Sequence, residues 1–240
     1  MKNVQKAKTK NLKKKLKLSK AVFITGTDTG VGKTVVAGAV VKLLKDKGYN
    51  VGYFKPVETG CSPECSDAKT ISQITGQHID EVVLYQFKNP VAPLVAERLE
   101  GKKIDMARIY SHLDRLKRSY EYLVIEGAGG IKVPITEEGG NIITYLDFVY
   151  ETFLPVVIVS RAGLGTINHT VLTVDALNTI NAEIKGIVVN GYTGETVSEK
   201  ISPQIIHEMT GIPVLCVVNK AKNPIEYIHE YFPEIIDAVF

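Results

Sequence analysis

Nine residues near the N-terminus, Gly26-Thr-Asp-Thr-Gly-Val-Gly-Lys-Thr34, combine the residue types that phosphate chemistry needs. Gly30 and Gly32 tolerate positive φ and carry no side chain, so consecutive backbone N–H groups can converge on phosphate oxygens. Lys33 directly follows the last glycine and suits the β and γ phosphates, while the Thr34 hydroxyl is a ligand type for Mg²⁺. We read Asp28, Thr29, Gly30, Val31, Gly32, Lys33 and Thr34 as the cradle of a nucleoside triphosphate. The spacing departs from the common form, because Thr27 stands where the first glycine is expected. Glycine-rich turns also serve dinucleotide sites or tight packing, but neither use needs a Lys-Thr pair after the last glycine.

Three further polar clusters follow apolar runs. They are Lys55-Pro-Val-Glu-Thr-Gly60 with Ser66-Asp67-Ala68, then Glu126-Gly-Ala-Gly-Gly130, then Gly163-Leu-Gly-Thr-Ile-Asn-His169. Alone, each also suits a bland role: a surface lysine at 55, a helix cap at Asp67 or Asn168, a tight turn at Glu126. Together they place cations, carboxylates and glycines where open α/β sheets bind ligands, beyond the C-terminal ends of strands.

The elements that must position these clusters are legible in the apolar periodicity. Short runs rich in Val and Ile at 21–25, 51–54, 122–125, 156–159, 187–189 and 214–218 predict strands covered on both faces. Helical patterns fall between them at 33–47, 67–74, 106–118, 167–180, 198–209 and 224–231. Strict alternation without a break in composition predicts one α/β domain over residues 21–240, a doubly wound, mostly parallel sheet with helices on both faces.

At 240 residues, 45% apolar and 23% charged, the chain is long enough and balanced enough to bury a core. No apolar run reaches the length of a membrane span and the N-terminus lacks a secretory apolar core, so a cytoplasmic protein with no membrane partner is expected. The net charge of +3 hides an asymmetry. Residues 1 to 20 hold nine lysines and no acid, and removing those nine from 29 basic residues leaves 20 against 26 acidic ones. The Lys-rich arm has no aromatic residue for stacking, so we read it as a solvated, disordered tail and expect no nucleic-acid partner. Three cysteines, at 61, 65 and 216, are too few and too unevenly placed for a disulfide framework, and no second Cys/His pair near 61 and 65 points to structural zinc.

Taken in order, Thr25-Gly-Thr-Asp-Thr before Val31-Gly-Lys-Thr34, Lys55-Pro-Val with Thr59-Gly60, Ser66-Asp67-Ala68, Glu126-Gly-Ala-Gly-Gly130 and Leu164-Gly165 with Ile167-Asn-His169 resemble the dethiobiotin synthetases, P-loop ligases of biotin biosynthesis. The resemblance runs over essentially the whole chain after about residue 20. It implies ATP- and Mg²⁺-dependent closure of a cyclic urea from 7,8-diaminononanoate and CO₂, through a carbamate and a carbamic-phosphoric anhydride, with release of ADP and phosphate. Carried over residue by residue, it implies that Lys33, Lys55, Thr29 and Thr59 are catalytic and that Thr34, Asp67 and Glu126 hold Mg²⁺. Glu126, Gly129 and Asn190 join the turn in binding the nucleotide, Asn190 at the adenine edge. Thr59 and Gly129 contact the substrate. The family also works as a homodimer, which implies that Gly165, Thr166, Ile167 and Asn168 of one subunit receive the substrate carboxylate bound in the other, a sensible seat for an anion at a helix start.

Two departures stand out. Gly30 replaces an acidic residue found in some members, and Cys216 and Asn219 stand where a glycine and a proline often follow the last strand. A dimeric switch ATPase of the division-site or DNA-partition class shares the expected fold, but it calls for a lysine at position 27, where this chain has Thr27.

Overall fold

Period-two alternation along each apolar run decides which side chains meet which helix layer. The computed structural model describes residues 19–240, so the predicted basic tail lies outside the described residues except for Ser19 and Lys20. The strands are β1 (Lys20–Gly26), β2 (Val51–Thr59), β3 (Val83–Phe87), β4 (Tyr122–Gly130), β5 (Pro134–Glu138), β6 (Asn141–Thr144), β7 (Val156–Arg161), β8 (Ile184–Tyr192) and β9 (Val214–Asn219). Seven of them form one sheet in the order β3-β2-β4-β1-β7-β8-β9. Every neighbouring pair is parallel. Strands β5 and β6 make a separate antiparallel hairpin.

The helices are α1 (Lys33–Asp46), α2 (Ser66–Thr75), α3 (Ile79–Val82), α4 (Pro93–Glu100), α5 (Met106–Ser119), α6 (Tyr145–Thr152), α7 (Thr166–Asn178), α8 (Val197–Thr210), α9 (Pro224–Tyr231) and α10 (Ile235–Val239). They divide into two layers, as a doubly wound sheet requires. On one face Val22, Ile24, Tyr53 and Val124 pack with Val36, Val40 and Leu44 of α1, Ile71 of α2 and Ile235 of α10. On the other, Phe23, Phe54, Leu123 and Ile125 pack with Leu113 of α5, Phe148 of α6, Leu177 of α7 and Ile206 of α8. Helices on both faces of a parallel sheet match the expected fold class. No helix among the described residues is long and apolar enough to cross a membrane.

The six predicted strands all exist, but several run further at their C-terminal ends. β2 continues to Thr59 and β4 to Gly130, because the polar residues of each cluster are still in extended chain after the apolar run stops. The sequence reading missed β3, the β5–β6 hairpin and helices α3, α4, α6 and α10. β3 is a sheet edge with mixed burial, so it lacks the continuous apolar run of a central strand.

Close approach explains one glycine inside a strand. A Cβ on Gly52 of β2 would lie 2.5 Å from the ring of Tyr120. Gly52→Ala should therefore cost about 1–3 kcal/mol of stability by overpacking. Urea melts of the two proteins test this, and equal midpoints would show that the Tyr120 ring yields freely.

Candidate active site

Parallel register brings the polar clusters to one end of the sheet. Phe54 of β2 pairs with Ile125 of β4, and Ile24 of β1 pairs with Glu126. One residue past the first pair stand Lys55 and Glu126, which share their strand faces with Tyr53 and Val124 two residues earlier and so point toward the α1 layer. β1 ends there too, and its chain turns through residues 27–32 into α1.

A cleft of about 630 Å³ opens at this point. Its wall includes Thr29, Gly30, Gly32, Lys33 and Thr34 of the turn, Lys55 and Thr59 of β2, Asp67 of α2, and Glu126 and Gly129 of β4. The structure thus gathers the five side chains with the most chemistry, Lys33, Thr34, Lys55, Asp67 and Glu126, into one cavity.

Hydrogen bonds join them. Thr34 Oγ1 donates to Glu126 Oε1 at 2.8 Å, and Lys55 Nζ donates to the same oxygen at 2.9 Å. Lys55 Nζ also pairs with Asp67 Oδ2. Tyr53 donates its hydroxyl to Glu126 Oε2 at 2.8 Å, so both oxygens of a carboxylate with no exposed surface are satisfied. Glu58 closes the set from below, its carboxylate accepting the backbone N–H groups of Asp67 and Ala68, each at 2.9 Å. It thereby caps α2, whose preceding residue Cys65 makes no side-chain cap.

Burial and charge oppose each other here. Burial alone lowers the Lys55 pKa, but the carboxylates of Glu126, Asp67 and Glu58 outweigh it and hold the ammonium well above the ordinary lysine value. Lys33 has the opposite balance. Burial lowers it, the nearby Lys55 charge adds to that, and Glu126 compensates only in part. Burial pushes Asp67 up, yet Lys55 overrides that and leaves the carboxyl below its usual range. Burial keeps Glu58 above its ordinary value, and burial with the Glu126 charge keeps the Tyr53 hydroxyl protonated as a donor.

The turn is built as a cradle. Gly30 and Gly32 have φ of 74° and 100°. A Cβ at residue 32 would fall 2.1 Å from Asn190 Nδ2, so the glycine is required by space as well as by conformation. Lys33 Nζ donates to the Asp28 carbonyl at 3.0 Å. The Asp28 carboxylate accepts from Thr29 N at 2.7 Å and pairs with Arg161 at the end of β7.

Not every expected residue faces the cleft. Asp28 is exposed and accepts from the turn's own backbone, Val31 is buried, and neither lines the cleft. Asn190 of β8 reaches the turn, where its Nδ2 donates to the Val31 carbonyl at 2.9 Å. Gly165, Thr166, Ile167 and Asn168 form the start of α7, with Gly165 at φ 88°, outside the lining of this chain's cleft. Sequence reasoning missed Tyr53, Glu58, Arg161 and the wall Pro90-Val-Ala-Pro93. Tyr53 and Lys55 share a strand face by period two, which was a usable signal for Tyr53; Arg161 had none.

The cysteine expectation needs correction. Cys61 and Cys65, at either end of a short loop between β2 and α2, are joined as a disulfide, because the chain doubles back there to start α2 beside the strand it has left. Glu58, Cys61 and Cys65 put ligand-type atoms within 4.8 Å of one another, but both sulfurs are taken by that bond.

A family model described as an AAA domain matches residues 20–224. Similar curated proteins include the ATP-dependent dethiobiotin synthetase BioD of Aquifex aeolicus (strain VF5), 46% identical over 191 residues that cover 80% of this chain and 85% of that protein. The protein of the same name from Bacillus subtilis (strain 168) is 39% identical over 207 residues, 84% of this chain and 87% of its own. That of Methanococcus vannielii is 36% identical over 206 residues, 84% and 94% respectively. Among solved structures, the MinC:MinD cell division protein complex of Aquifex aeolicus matches with a TM-score of 0.57 at 16% identity, over 92% of this chain and 90% of that one. A ParA family ATPase from Chlorobium tepidum TLS matches with a TM-score of 0.52 at 14% identity, over 87% and 88%. At such identities these two establish a shared fold alone.

The electrostatics carry a pH consequence. The folded-state pKa of Asp67 lies below the ordinary 3.8, so its stabilising pairing is fully present above that value and is lost as pH falls through the lower, folded one. Asp67→Asn should therefore melt at a lower temperature than the parent at neutral pH, with the difference shrinking as pH falls below the ordinary carboxylate value. A difference that stays constant across that range would remove Asp67 as the source.

Proposed function

The chain belongs to the ATP-dependent dethiobiotin synthetase family, and from that premise we propose that it closes the cyclic urea of dethiobiotin from 7,8-diaminononanoate, CO₂ and ATP, releasing ADP and phosphate. The observation that supports this reading best is the meeting of Lys33, Lys55, Thr34, Asp67 and Glu126 at one cleft beside Thr59 and Gly129.

The chemistry accounts for each residue type. One substrate amine takes up CO₂ as a carbamate, too poor an electrophile to close the ring unaided. Transfer of the γ-phosphoryl group makes a carbamic-phosphoric anhydride, and the second amine attacks its carbon and expels phosphate. Transfer of this kind depends on positioning and charge stabilisation. Lys33 and Lys55 supply fixed positive charge on the travelling phosphoryl group. Thr29 hydrogen-bonds phosphate, Thr59 the carbamate or diamine, and Gly129 lets the backbone approach both. Asn190 supports the nucleotide end of the site, toward the adenine.

The donor set also fits Mg²⁺. Thr34, Asp67 and Glu126 offer only oxygen, which suits a hard cation, and their carboxylates already hold a positive group, the Lys55 ammonium. These three residues would hold the ion, which when bound neutralises charge on the β and γ phosphates. Residues Lys33 and Lys55 then act from the protein side of the same group.

We take the enzyme to act in the cytoplasm as a homodimer, with the start of α7 from one subunit seating the substrate carboxylate of the other. Two features favour this. The first amides of α7 have no side-chain cap. Leu164 just before the helix and Leu172 within it are 89% and 58% exposed, more apolar surface than a solvent-facing helix needs.

The direct test is to incubate the protein with diaminononanoate, bicarbonate, Mg²⁺ and ATP and to look for the cyclic urea by mass spectrometry. Phosphate release without the diamine would instead favour a switch ATPase. Lys33→Ala should lower kcat by about 10²–10³-fold, the scale of deleting one fixed charge at a transition state; near-parental turnover would exclude Lys33 from the chemistry. Glu126→Gln should weaken Mg²⁺ binding by about tenfold or more, and an unchanged metal titration would take Glu126 out of the ligand set.

A further inference from the structure

Between β2 and α2 lies a covalent bond that the reaction makes no use of. The Cys61–Cys65 disulfide spans the loop from Thr59, at the rim of the cleft, to Asp67, the partner of Lys55. Taking Asp67 as the cation ligand proposed above, we infer that Cys61 and Cys65 form a reversible thiol–disulfide site whose state sets how firmly the start of α2, and with it Asp67, is held.

The two ends of this loop are fixed very differently. Its first half is pinned to the end of the edge strand β3 and the chain after it, with Cys61 N donating to Phe87 O at 2.8 Å and Gly60 N to Asn89 O at 3.2 Å. Residues Ser62, Pro63 and Glu64 are exposed, and the backbone bond among them is the short local one from Ser62 N to Gly60 O. Cys65 immediately precedes α2. The disulfide therefore ties the helix start to the pinned residue Cys61. Without it, α2 keeps at this end the two N–H groups held by Glu58 and the Asp67 ion pair with Lys55.

Access is asymmetric as well. Cys61 is half-buried, whereas Cys65 is only 3% exposed, so an incoming thiolate meets the Cys61 sulfur. A dithiol reductant attacks Cys61 Sγ, the S–S bond breaks, and its electron pair leaves on Cys65 Sγ, which takes a proton from solvent. The second thiol of the reductant then displaces the Cys61 sulfur, which is protonated in turn. Two electrons and two protons pass to the protein, and the reductant departs as a disulfide. Cys216 is buried in β9 on the other side of β1 in the sheet, so it does not compete as a third partner.

Reduction lengthens the free chain between Cys61 and Asp67 and broadens the positions that Asp67 and Thr59 sample. Ligand geometry suffers first, and global stability changes little because the loop is short.

The experiment uses the full chain. Thiol counts in denaturant should give one free thiol after treatment with oxidised glutathione and three after reduction with dithiothreitol. Calorimetric Mg²⁺ titration of the ATP-saturated protein should show affinity weaker by about tenfold in the reduced form. The double variant Cys61→Ser with Cys65→Ser should match the reduced parent and ignore both reagents; if it fails to fold, the two states of the parent give the same comparison. Three free thiols after oxidation would overturn the inference. Equal Mg²⁺ affinity in both states would overturn it alone if Asp67→Asn still weakens binding, and together with the assignment of Asp67 if that variant binds as the parent does.

Discussion

The buried carboxylate of Glu126 is the constraint around which this end of the molecule is arranged. A charge with no exposed surface is tolerable only when its lone pairs and its field are both answered. Lys55 answers the field, while Thr34 and Tyr53 share the remaining hydrogen bonds. Those three partners come from β2 and from the first turn of α1, so satisfying one group fixes β4, β2 and the nucleotide turn relative to one another. Asp67 joins through the same ammonium, which extends the arrangement to α2. Removing one partner from such a group costs about 3–5 kcal/mol, so the site is held by its own electrostatics as much as by the core beneath it.

The same geometry explains why two buried lysines can persist before any ligand arrives. Two lysines stand against the carboxylates of Asp67, Glu126 and Glu58, over strand ends whose backbone is already ordered by the sheet. Opposite pKa tendencies for Lys33 and Lys55 follow from position alone: Lys55 lies among three carboxylates, while Lys33 leans on a backbone carbonyl. A phosphate group entering the turn would supply the negative partner that Lys33 lacks.

Much of this was legible in the residues. The central strands announced themselves as Val- and Ile-rich runs, and the cleft residues 33, 34, 55, 59, 67, 126 and 129 stood in clusters just past them. Edge and surface elements did not, because β3, α4 and the β5–β6 hairpin are half-exposed and carry no continuous apolar signal. The supporting side chains were hidden for another reason. Arg161 and Glu58 act by holding a neighbour's backbone or carboxylate, and such a role depends on which strands become adjacent, which periodicity cannot say. Asn190 was found for its family role, whereas its bond to Val31 became visible only once β8 lay beside the turn. The disulfide was missed because counting cysteines says nothing about a loop that folds back on itself.

The contact between Asn190 and the space above Gly32 has an evolutionary corollary. Because an amide from one half of the sheet fills the volume that a methyl group would need, the two positions form a lock and its key across the nucleotide turn. Shrinking residue 190 would clear the space but leave the positive φ of residue 32, so descendants of this chain can enlarge residue 32 only once both obstacles are gone, and the order of mutations along any lineage is constrained before selection on catalysis begins.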